Sequence, residues 1–152
     1  EGPFYLGGAP ERSELDVYGH EGISLTITGQ VTDSECNPRP FVLLDLWHAD
    51  PDGDYDMKSH DRRYSALVPT DKEGRYSVHT LYPVAYGDGE GGTRASHVHL
   101  KVWVDGEVML TSQWYFEGDP NLNKDSTSKE GLIISLEESA DGALSGVFDF
   151  VV

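Results

Sequence analysis

Apolar and polar residues alternate along much of this chain with the period of β-strands. Apolar side chains alternate with polar ones from Gly22 to Val31, which predicts a half-buried strand. The denser apolar run from Phe41 to Ala49 predicts a more buried one. Five further strands are predicted at Arg75–Thr80, His97–Val104, Val108–Tyr115, Leu132–Leu136 and Leu144–Val151. Because no window has a sustained helical period, this pattern predicts an all-β fold, an antiparallel β-sandwich.

Turn-forming clusters of Gly, Asp, Asn and Pro separate the predicted strands. The clusters include DPDGD, YGDGEGGT and EGDPNLNKDS. Because such a sandwich leaves its connections at the ends, we expect long loops at one end to carry a functional site. No internal repeat or linker is present, and the 152 residues fit a single domain over residues 1–152.

Charge and hydropathy narrow the possible partners. The chain has 27 acidic and 11 basic residues, a formal net charge of −16, which disfavours nucleic acid and anionic membrane surfaces. No apolar run reaches the roughly 20 residues that a membrane-spanning helix needs. Cys36 is the only cysteine, so the sequence shows no disulfide framework. We therefore expect a small-molecule partner, and neither a nucleic acid nor a membrane.

His97 and His99, in the stretch SHVHLKVWV, are the first candidates for chemistry. Residues i and i+2 of a strand face the same side, so both imidazoles can reach one metal ion while Val98 and Leu100 face the other side. Such a pair also occurs in copper, zinc and ferrous sites, and in ordinary strands. The pair therefore indicates a metal site only together with further ligands.

Two tyrosines in the loops offer such ligands. Tyr55 follows DPDGD, and Tyr86 precedes the glycine-rich GDGEGG, with Tyr82 as the alternative to Tyr86. A phenol with a pKa near 10 loses its proton to a strong Lewis acid, and hard anionic oxygen suits Fe(III). Two tyrosinates and two neutral imidazoles would leave coordination positions open for substrate. Tyr55, Tyr86, His97 and His99 together predict a ferric site.

Other interpretations of these residues stay open. A ferrous or copper site could use His97, His99 and a carboxylate, with the tyrosines merely structural. A non-enzymatic β-sandwich binding module would carry both histidines on its surface. DPDGDYDMKSHD resembles a calcium loop, but Tyr55 stands at the glycine position and Asp61 at the final glutamate position. A solvated turn that presents Tyr55 is the better interpretation of this segment.

The other tyrosines and histidines have structural interpretations. Core packing is expected for Tyr18, Tyr64 and Tyr76. Loop or surface positions are expected for His20, His60 and His79, and a buried, hydrogen-bonded position for His48.

The ordered motifs of the chain resemble those of the intradiol ring-cleavage dioxygenases, the family of catechol, hydroxyquinol and protocatechuate dioxygenases. The resemblance runs from Glu1 to the end, through EGPFY, TGQVTDSECNPRPFVLLDLWHADPDGDY, TLYPVAYG, TRASHVHLKV, TSQWYFEGDP and GALSGVFDFVV. Two departures stand out. Phe41 occupies a position where glycine is usual, and GDGEGG lacks the aromatic residue that often follows the second ligand tyrosine.

The resemblance implies roles for individual residues. Tyr86 would be the displaceable ligand and base, while Arg94 and Gln113 would stabilise charge that develops on the ring. The substrates would be O₂ and a catechol-type diol, cleaved between its hydroxyl-bearing carbons to a cis,cis-muconate-type diacid. The implied Fe(III) ligands are Tyr55, Tyr86, His97 and His99.

The resemblance also bears on location and on the pocket. The chain is similar to small catalytic members of the family, and its acidity and missing initial methionine slightly favour export over a cytoplasmic location. In exported members an upstream cysteine could pair with Cys36. Candidate pocket walls are Tyr5, Gly87 and Trp114, but neither the ring substituents of the substrate nor the oligomeric state follows from the sequence.

Overall fold

The alternating segments form two five-stranded sheets and a two-stranded hairpin in the computed structural model, which describes residues 2–87, 89 and 91–152. Glu1 of the first family motif, and Asp88 and Glu90 of the glycine-rich loop, lie outside the described residues. A 3-10 helix covers Glu130–Leu132. The strands are β1 Ser24–Thr32, β2 Leu43–Trp47, β3 Ser65–Pro69, β4 Arg75–Leu81, β5 Tyr86–Gly87, β6 Thr93–Arg94, β7 His97–Val104, β8 Glu107–Phe116, β9 Ile133–Ile134, β10 Leu136–Glu138, β11 Leu144–Val147 and β12 Phe150–Val151.

Strand pairing confirms the predicted all-β sandwich and adds parallel pairs to it. The first sheet has the order β10-β11-β1-β12, with β4 also paired to β1, and the second has the order β3-β2-β7-β8-β9. Most neighbours are antiparallel, but β1 runs parallel to β11 and β12, and β8 runs parallel to β9. Alternation along a strand does not specify the direction of its neighbour, so the parallel pairs were not predicted.

A hydrophobic core joins the two sheets. Ile27 and Val78 of the first sheet belong to the same buried cluster as Leu44 and Leu100 of the second. All the even-numbered residues of β7 belong to this cluster. Because side chains alternate across a strand, the odd-numbered residues of β7, which include both candidate histidines, point to the opposite face. The described residues contain no helix with the length and apolar composition needed to cross a bilayer.

The strand predictions hold for long alternating segments and fail for short ones. The Leu132–Leu136 segment contains β9 and the start of β10, and the Leu144–Val151 segment divides into β11 and β12. Strand β3 and the β5–β6 hairpin were not predicted. Strand β3 contributes only Ala66 and Val68 to the core, and its Pro69 is tolerated because the strand lies at a sheet edge.

Burial tests the structural interpretations of the aromatic residues. Tyr64 and Tyr76 are buried, as predicted, but Tyr18 is 47% exposed, so its expected place in the core is wrong. Its hydroxyl donates to Asp61 on the surface instead. His48 is buried as predicted, with Nε2 2.7 Å from the hydroxyl of Thr80.

The backbone explains the departure at Phe41. Phe41 has a φ of 59° and its side chain is 72% exposed. This left-handed region favours glycine because a Cβ atom crowds the backbone there. The glycine that the family resemblance leads us to expect at this position would suit this backbone conformation, and Phe41 adopts it with some strain.

Candidate metal centre

A turn held by Asp50 presents Tyr55. The Asp50 carboxylate accepts hydrogen bonds from the backbone N–H groups of Asp52 at 3.0 Å and Asp54 at 2.9 Å. Gly53 lies between them with a φ of 88°, which glycine adopts without penalty. Asp50 thus closes a turn of the kind that Asp side chains commonly form, while the side chains of Asp52 and Asp54 are exposed. This is the solvated turn expected in place of a calcium loop.

Four ligand-type atoms converge beside the start of β7. The hydroxyl oxygen of Tyr55 lies 2.9 Å from that of Tyr86, 3.3 Å from Nε2 of His97 and 3.0 Å from Nε2 of His99. Nε2 of His97 lies 3.1 Å from the Tyr86 hydroxyl and 3.2 Å from Nε2 of His99. The structure therefore brings together all four residues that the sequence nominated as metal ligands. We call them the His–Tyr cluster.

Two other nominated residues lie away from this cluster. Tyr82 packs its ring 5.0 Å from that of Phe116 at the edge of the core, so the structure places Tyr86 and not Tyr82 beside the histidines. Trp114 is fully buried in the core between the sheets and cannot form a pocket wall. Trp114 occupies an even position of β8 and points to the inner face, whereas its neighbours Gln113 and Tyr115 point outward.

Aromatic stacking fixes the orientation of two members of the cluster. The ring of Phe4 stacks on Tyr55 with centroids 4.6 Å apart, and Trp47 stacks on His99 at 5.0 Å. Tyr5 lies next to Trp47, with centroids 4.7 Å apart, and donates its hydroxyl to Asp45 at 2.7 Å. The segment that begins at Gly2 therefore covers this part of the second sheet and supports the site from outside.

The histidines are in the state that metal binding needs. Nδ1 of His97 lies 2.6 Å from the carbonyl oxygen of Ala95, which can only accept, so Nδ1 carries the proton and Nε2 presents its lone pair. Burial lowers the pKa of His97 to about 4. Burial, helped by the neighbouring His97, lowers the pKa of His99 to about 2. Both rings are therefore neutral at pH 7.

The phenols require a strong cation before they can act as anionic ligands. Burial raises the pKa of Tyr55, and the hydrogen bond with Tyr86 raises it further. Burial also raises the pKa of Tyr86 above its usual value. A highly charged metal ion reverses this preference because it stabilises the phenolate directly. Two half-buried phenols beside two neutral imidazoles are thus a suitable ligand set for a hard ion such as Fe(III).

The spacing of the four atoms also fits one ion. Ligands about 2.0 to 2.1 Å from a first-row metal in a tetrahedral arrangement lie about 3.3 to 3.4 Å from one another. The observed separations of 2.9 to 3.3 Å are close to that value. In the described part of the chain, no three His, Cys, Asp or Glu side chains form a metal-binding group, so the alternative of two histidines and a carboxylate finds no third ligand there.

Arg94 and Gln113 lie opposite members of the cluster in neighbouring strands. The β5–β6 hairpin pairs Tyr86 with Arg94, and β7 and β8 pair His99 with Gln113. Nη2 of Arg94 donates to Oε1 of Gln113 at 2.6 Å. The two predicted charge-stabilising residues therefore touch each other at the side of the cluster.

Three further residues that contact Arg94 were not among the predicted site residues. Nε of Arg94 donates to Asp125 at 2.8 Å, and its Nη2 lies 3.0 Å from the Thr127 hydroxyl and 3.3 Å from that of Tyr115. Burial by itself would raise the pKa of Asp125, but hydrogen bonds from Thr127 and Arg94 outweigh it and hold the pKa below the usual value. Tyr115 could have been found from its i+2 spacing to Gln113, whereas no local pattern marks the two loop residues.

Fold and cluster together define a class: a mixed β-sandwich with a centre of two histidines and two tyrosines. A family model described as Dioxygenase matches residues 1–152. The hydroxyquinol 1,2-dioxygenase of Corynebacterium glutamicum is 37% identical over 93% of this chain and 54% of that protein. A chlorocatechol 1,2-dioxygenase of Pseudomonas putida is 33% identical over 100% of this chain and 66% of that protein.

Solved structures agree with these relatives. The dioxygenase domain of a dioxygenase carbohydrate-binding protein fusion from Streptomyces sp. SirexAA-E superposes with a TM-score of 0.89 at 33% identity, covering 100% of this chain and 94% of that chain. The 3-chlorocatechol 1,2-dioxygenase of Rhodococcus opacus 1CP gives 0.88 at 28% identity, covering 99% of this chain and 69% of that chain. The chain belongs to the intradiol ring-cleavage dioxygenase family. It spans about half the length of several curated relatives, 53 to 55% for three of them.

Proposed function

We propose that this chain is a non-haem Fe(III) enzyme that cleaves catechol-type aromatic diols with O₂ between the two hydroxyl-bearing carbons. The product would be a cis,cis-muconate-type diacid. The convergence of two phenol oxygens and two neutral imidazole nitrogens carries this proposal. The names of the relatives, which include catechol, hydroxyquinol and chlorocatechol 1,2-dioxygenases, support the substrate class.

The His–Tyr cluster would hold the iron through the hydroxyl oxygens of Tyr55 and Tyr86 and through Nε2 of His97 and His99. When bound, Fe(III) supplies a Lewis acid that accepts the diol oxygens and gives the adjacent ring carbon the carbanion character that O₂ attack requires. The stacking partners Phe4 and Trp47 keep Tyr55 and His99 in place, and burial keeps both imidazoles neutral.

Tyr86 is the better placed of the two tyrosines to leave the cluster and accept a proton of the diol at its hydroxyl oxygen. It lies in a two-residue strand between exposed Ala85 and Gly87. Tyr55, by contrast, contacts three other members of the cluster and is covered by the ring of Phe4. Release of Tyr86 therefore disturbs fewer contacts than release of Tyr55.

Arg94 and Gln113 would stabilise the negative charge that grows on the ring during oxygen attack. A preorganised donor in a partly buried site acts without the reorganisation that water needs, and the loss of one such donor typically costs about 2.7 to 4 kcal/mol in the transition state. The direct contact of Arg94 with Gln113 makes the two a single polar unit. They would act on the reaction step more than on substrate binding.

A visible spectrum of the iron-quantified protein, followed by anaerobic addition of catechol, tests this proposal. Tyrosinate bound to Fe(III) should give a red charge-transfer band that shifts when catechol is added. Admission of O₂ should then restore the original band and release a cis,cis-muconate-type diacid. The metal-free protein, which should remain colourless with and without catechol, is the control. Iron-reconstituted protein that stays colourless would overturn the proposal and favour a binding sandwich.

A further inference from the structure

We infer that Asp125 is a positioning residue that fixes the guanidinium of Arg94 beside the His–Tyr cluster, and that Thr127 fixes Asp125. The inference deepens the proposed function and rests on it. It concerns the orientation of Arg94 and not the binding of the metal. None of the sequence motifs that identify the family site includes Asp125 or Thr127.

The carboxylate of Asp125 is fully buried, and among the described residues it contacts Arg94, Ala95 and Thr127. Its side chain has 0% exposure, compared with 20% for Arg94. Oδ2 accepts from Nε of Arg94 at 2.8 Å and from the backbone N–H of Ala95 at 3.0 Å. Oδ1 accepts from the backbone N–H of Thr127 at 2.9 Å and from its hydroxyl at 2.6 Å. A buried charge with four hydrogen bonds holds its partner far more tightly than a surface ion pair does.

These contacts occupy some N–H donors of Arg94 and leave others available. Nε is used by Asp125, and Nη2 contacts Gln113, Thr127 and Tyr115. In the part of the chain that the structure describes, no hydrogen bond uses Nη1. A guanidinium is planar, so contacts at Nε and Nη2 fix the direction of both N–H bonds of Nη1. Among the described contacts, Nη1 is thus the donor of Arg94 that remains for a substrate.

The loop of Asp125 contains a second carboxylate that serves as a comparison. Asp119 accepts from the backbone N–H of Ser96 at 2.9 Å and from that of Asn121 at 2.7 Å. It ties the same loop to the same approach to β7, but it has no contact with Arg94. Asp119 therefore only anchors the loop, whereas Asp125 anchors it through Ala95 and also orients the guanidinium.

Asp125→Asn is the test, with Asp119→Asn as its matched control. Asp125→Asn should lower kcat for catechol cleavage by about 10- to 100-fold, the usual effect of losing a supporting residue behind an active-site group. The tyrosinate band and the anaerobic dissociation constant of catechol should change little, because the metal ligands and diol contacts remain. Asp119→Asn should lower thermal stability but leave kcat within about threefold of the parent. An equal kcat loss in both variants, or a lost band in Asp125→Asn, would overturn the inference.

A double-mutant cycle tests whether Asp125 acts independently of Arg94. If Asp125 acts only through Arg94, adding Asp125→Asn to Arg94→Ala should change kcat by less than about twofold. A full additional loss would contradict the inference. Thr127→Val removes the hydroxyl that contacts both Asp125 and Nη2 of Arg94, so it tests the same arrangement if Asp125→Asn fails to fold. It should reduce kcat in the same way but less, and an unchanged kcat would count against the inference.

A measurement on the metal-free protein separates this inference from the proposed function. The Nε–H proton of Arg94 should exchange slowly with water in NMR spectra of the parent protein, because it is hydrogen-bonded to a buried carboxylate. In Asp125→Asn the exchange should become at least tenfold faster. This result does not depend on iron or on activity. Fast exchange in the parent would remove the positioning role even if the protein proved to be an active dioxygenase.

Discussion

The four members of the His–Tyr cluster differ in how firmly the fold holds them. His97 and His99 stand on β7, which pairs with β2 on one side and β8 on the other. Tyr55 belongs to a turn and is held by stacking on Phe4, whereas Tyr86 belongs to a hairpin of two residues in each strand. Two imidazoles held on a paired strand and a phenol on a short hairpin would suit the proposed release of Tyr86 while the other three residues stay in place.

Single-residue replacements should separate ligand tyrosines from structural ones. Tyr55→Phe and Tyr86→Phe each remove one cluster oxygen, so both should weaken and shift the charge-transfer band and lower kcat by at least about 100-fold. Tyr82→Phe is the matched control, since Tyr82 lies against Phe116 and outside the cluster. It should keep the band. Visible spectra of the three iron-loaded variants decide the matter, and an unchanged band in Tyr86→Phe would exclude it as a ligand.

At the scale of elements, β1 organises the first sheet. It pairs with β4 along one edge and with β11 and then β12 along the other. Between β11 and β12 the chain turns inward, and Phe148 donates its backbone N–H to the carbonyl of Thr28 at 2.9 Å. The next residue of β1, Gly29, lies against the backbone of Phe148 in the connection between β11 and β12. A Cβ built there would stand 1.9 Å from the carbonyl oxygen of Phe148.

Gly29→Ala should therefore destabilise the protein. A backbone carbonyl cannot yield as a flexible side chain can, so the connection between β11 and β12 must shift. Overpacking of this kind lowers the free energy of unfolding by about 1 to 3 kcal/mol. Gly131→Ala is the control, because a Cβ at Gly131 meets no atom within 4 Å. The denaturant midpoint of each metal-free variant measures the effect. Equal midpoints would show that β11 and β12 adjust without cost.

At the scale of the whole molecule, burial of histidines couples stability to pH. Burial lowers the pKa of His48 and of His97 to about 4, and that of His99 to about 2. In the unfolded chain a histidine has a pKa near 6.5. Between these values the unfolded state binds protons that the folded state does not, so stability is present above about pH 6.5 and falls as the pH falls.

The metal-free protein should consequently lose stability from pH 7 to pH 5. Each buried histidine contributes roughly 1.4 kcal/mol per pH unit below about 6.5. His48→Gln should reduce the slope by about one proton, since His48 lies outside the cluster and bonds to Thr80. Urea midpoints at several pH values give the slope. A midpoint that stays constant or rises on acidification to pH 5 would show that the histidines are not held neutral.

Local patterns in the sequence were enough for the long strands, the outward face of β7 and the nomination of the ligands. The spacing of His97 and His99 already placed both rings on one face, because side chains of a strand alternate with a period of two. The turn-forming residues before Tyr55 predicted its place in a loop, whereas Tyr86, also expected in a loop, lies in the short strand β5. The order of motifs then indicated the family, which the match over residues 1–152 shows.

Tertiary structure decided what no local period encodes. It set the parallel partners of β1, buried Trp114 in the core and left Tyr18 on the surface. It placed Tyr86, which the family resemblance already favoured over Tyr82, beside His97, and it brought Asp125 to Arg94 across 31 positions of sequence. Alternation reports only which face of a strand is apolar, whereas these contacts depend on how sheets and loops meet in space. The sequence alone therefore determined which residue types are candidate ligands and the strand face that His97 and His99 share, and the fold determined which side chains surround them.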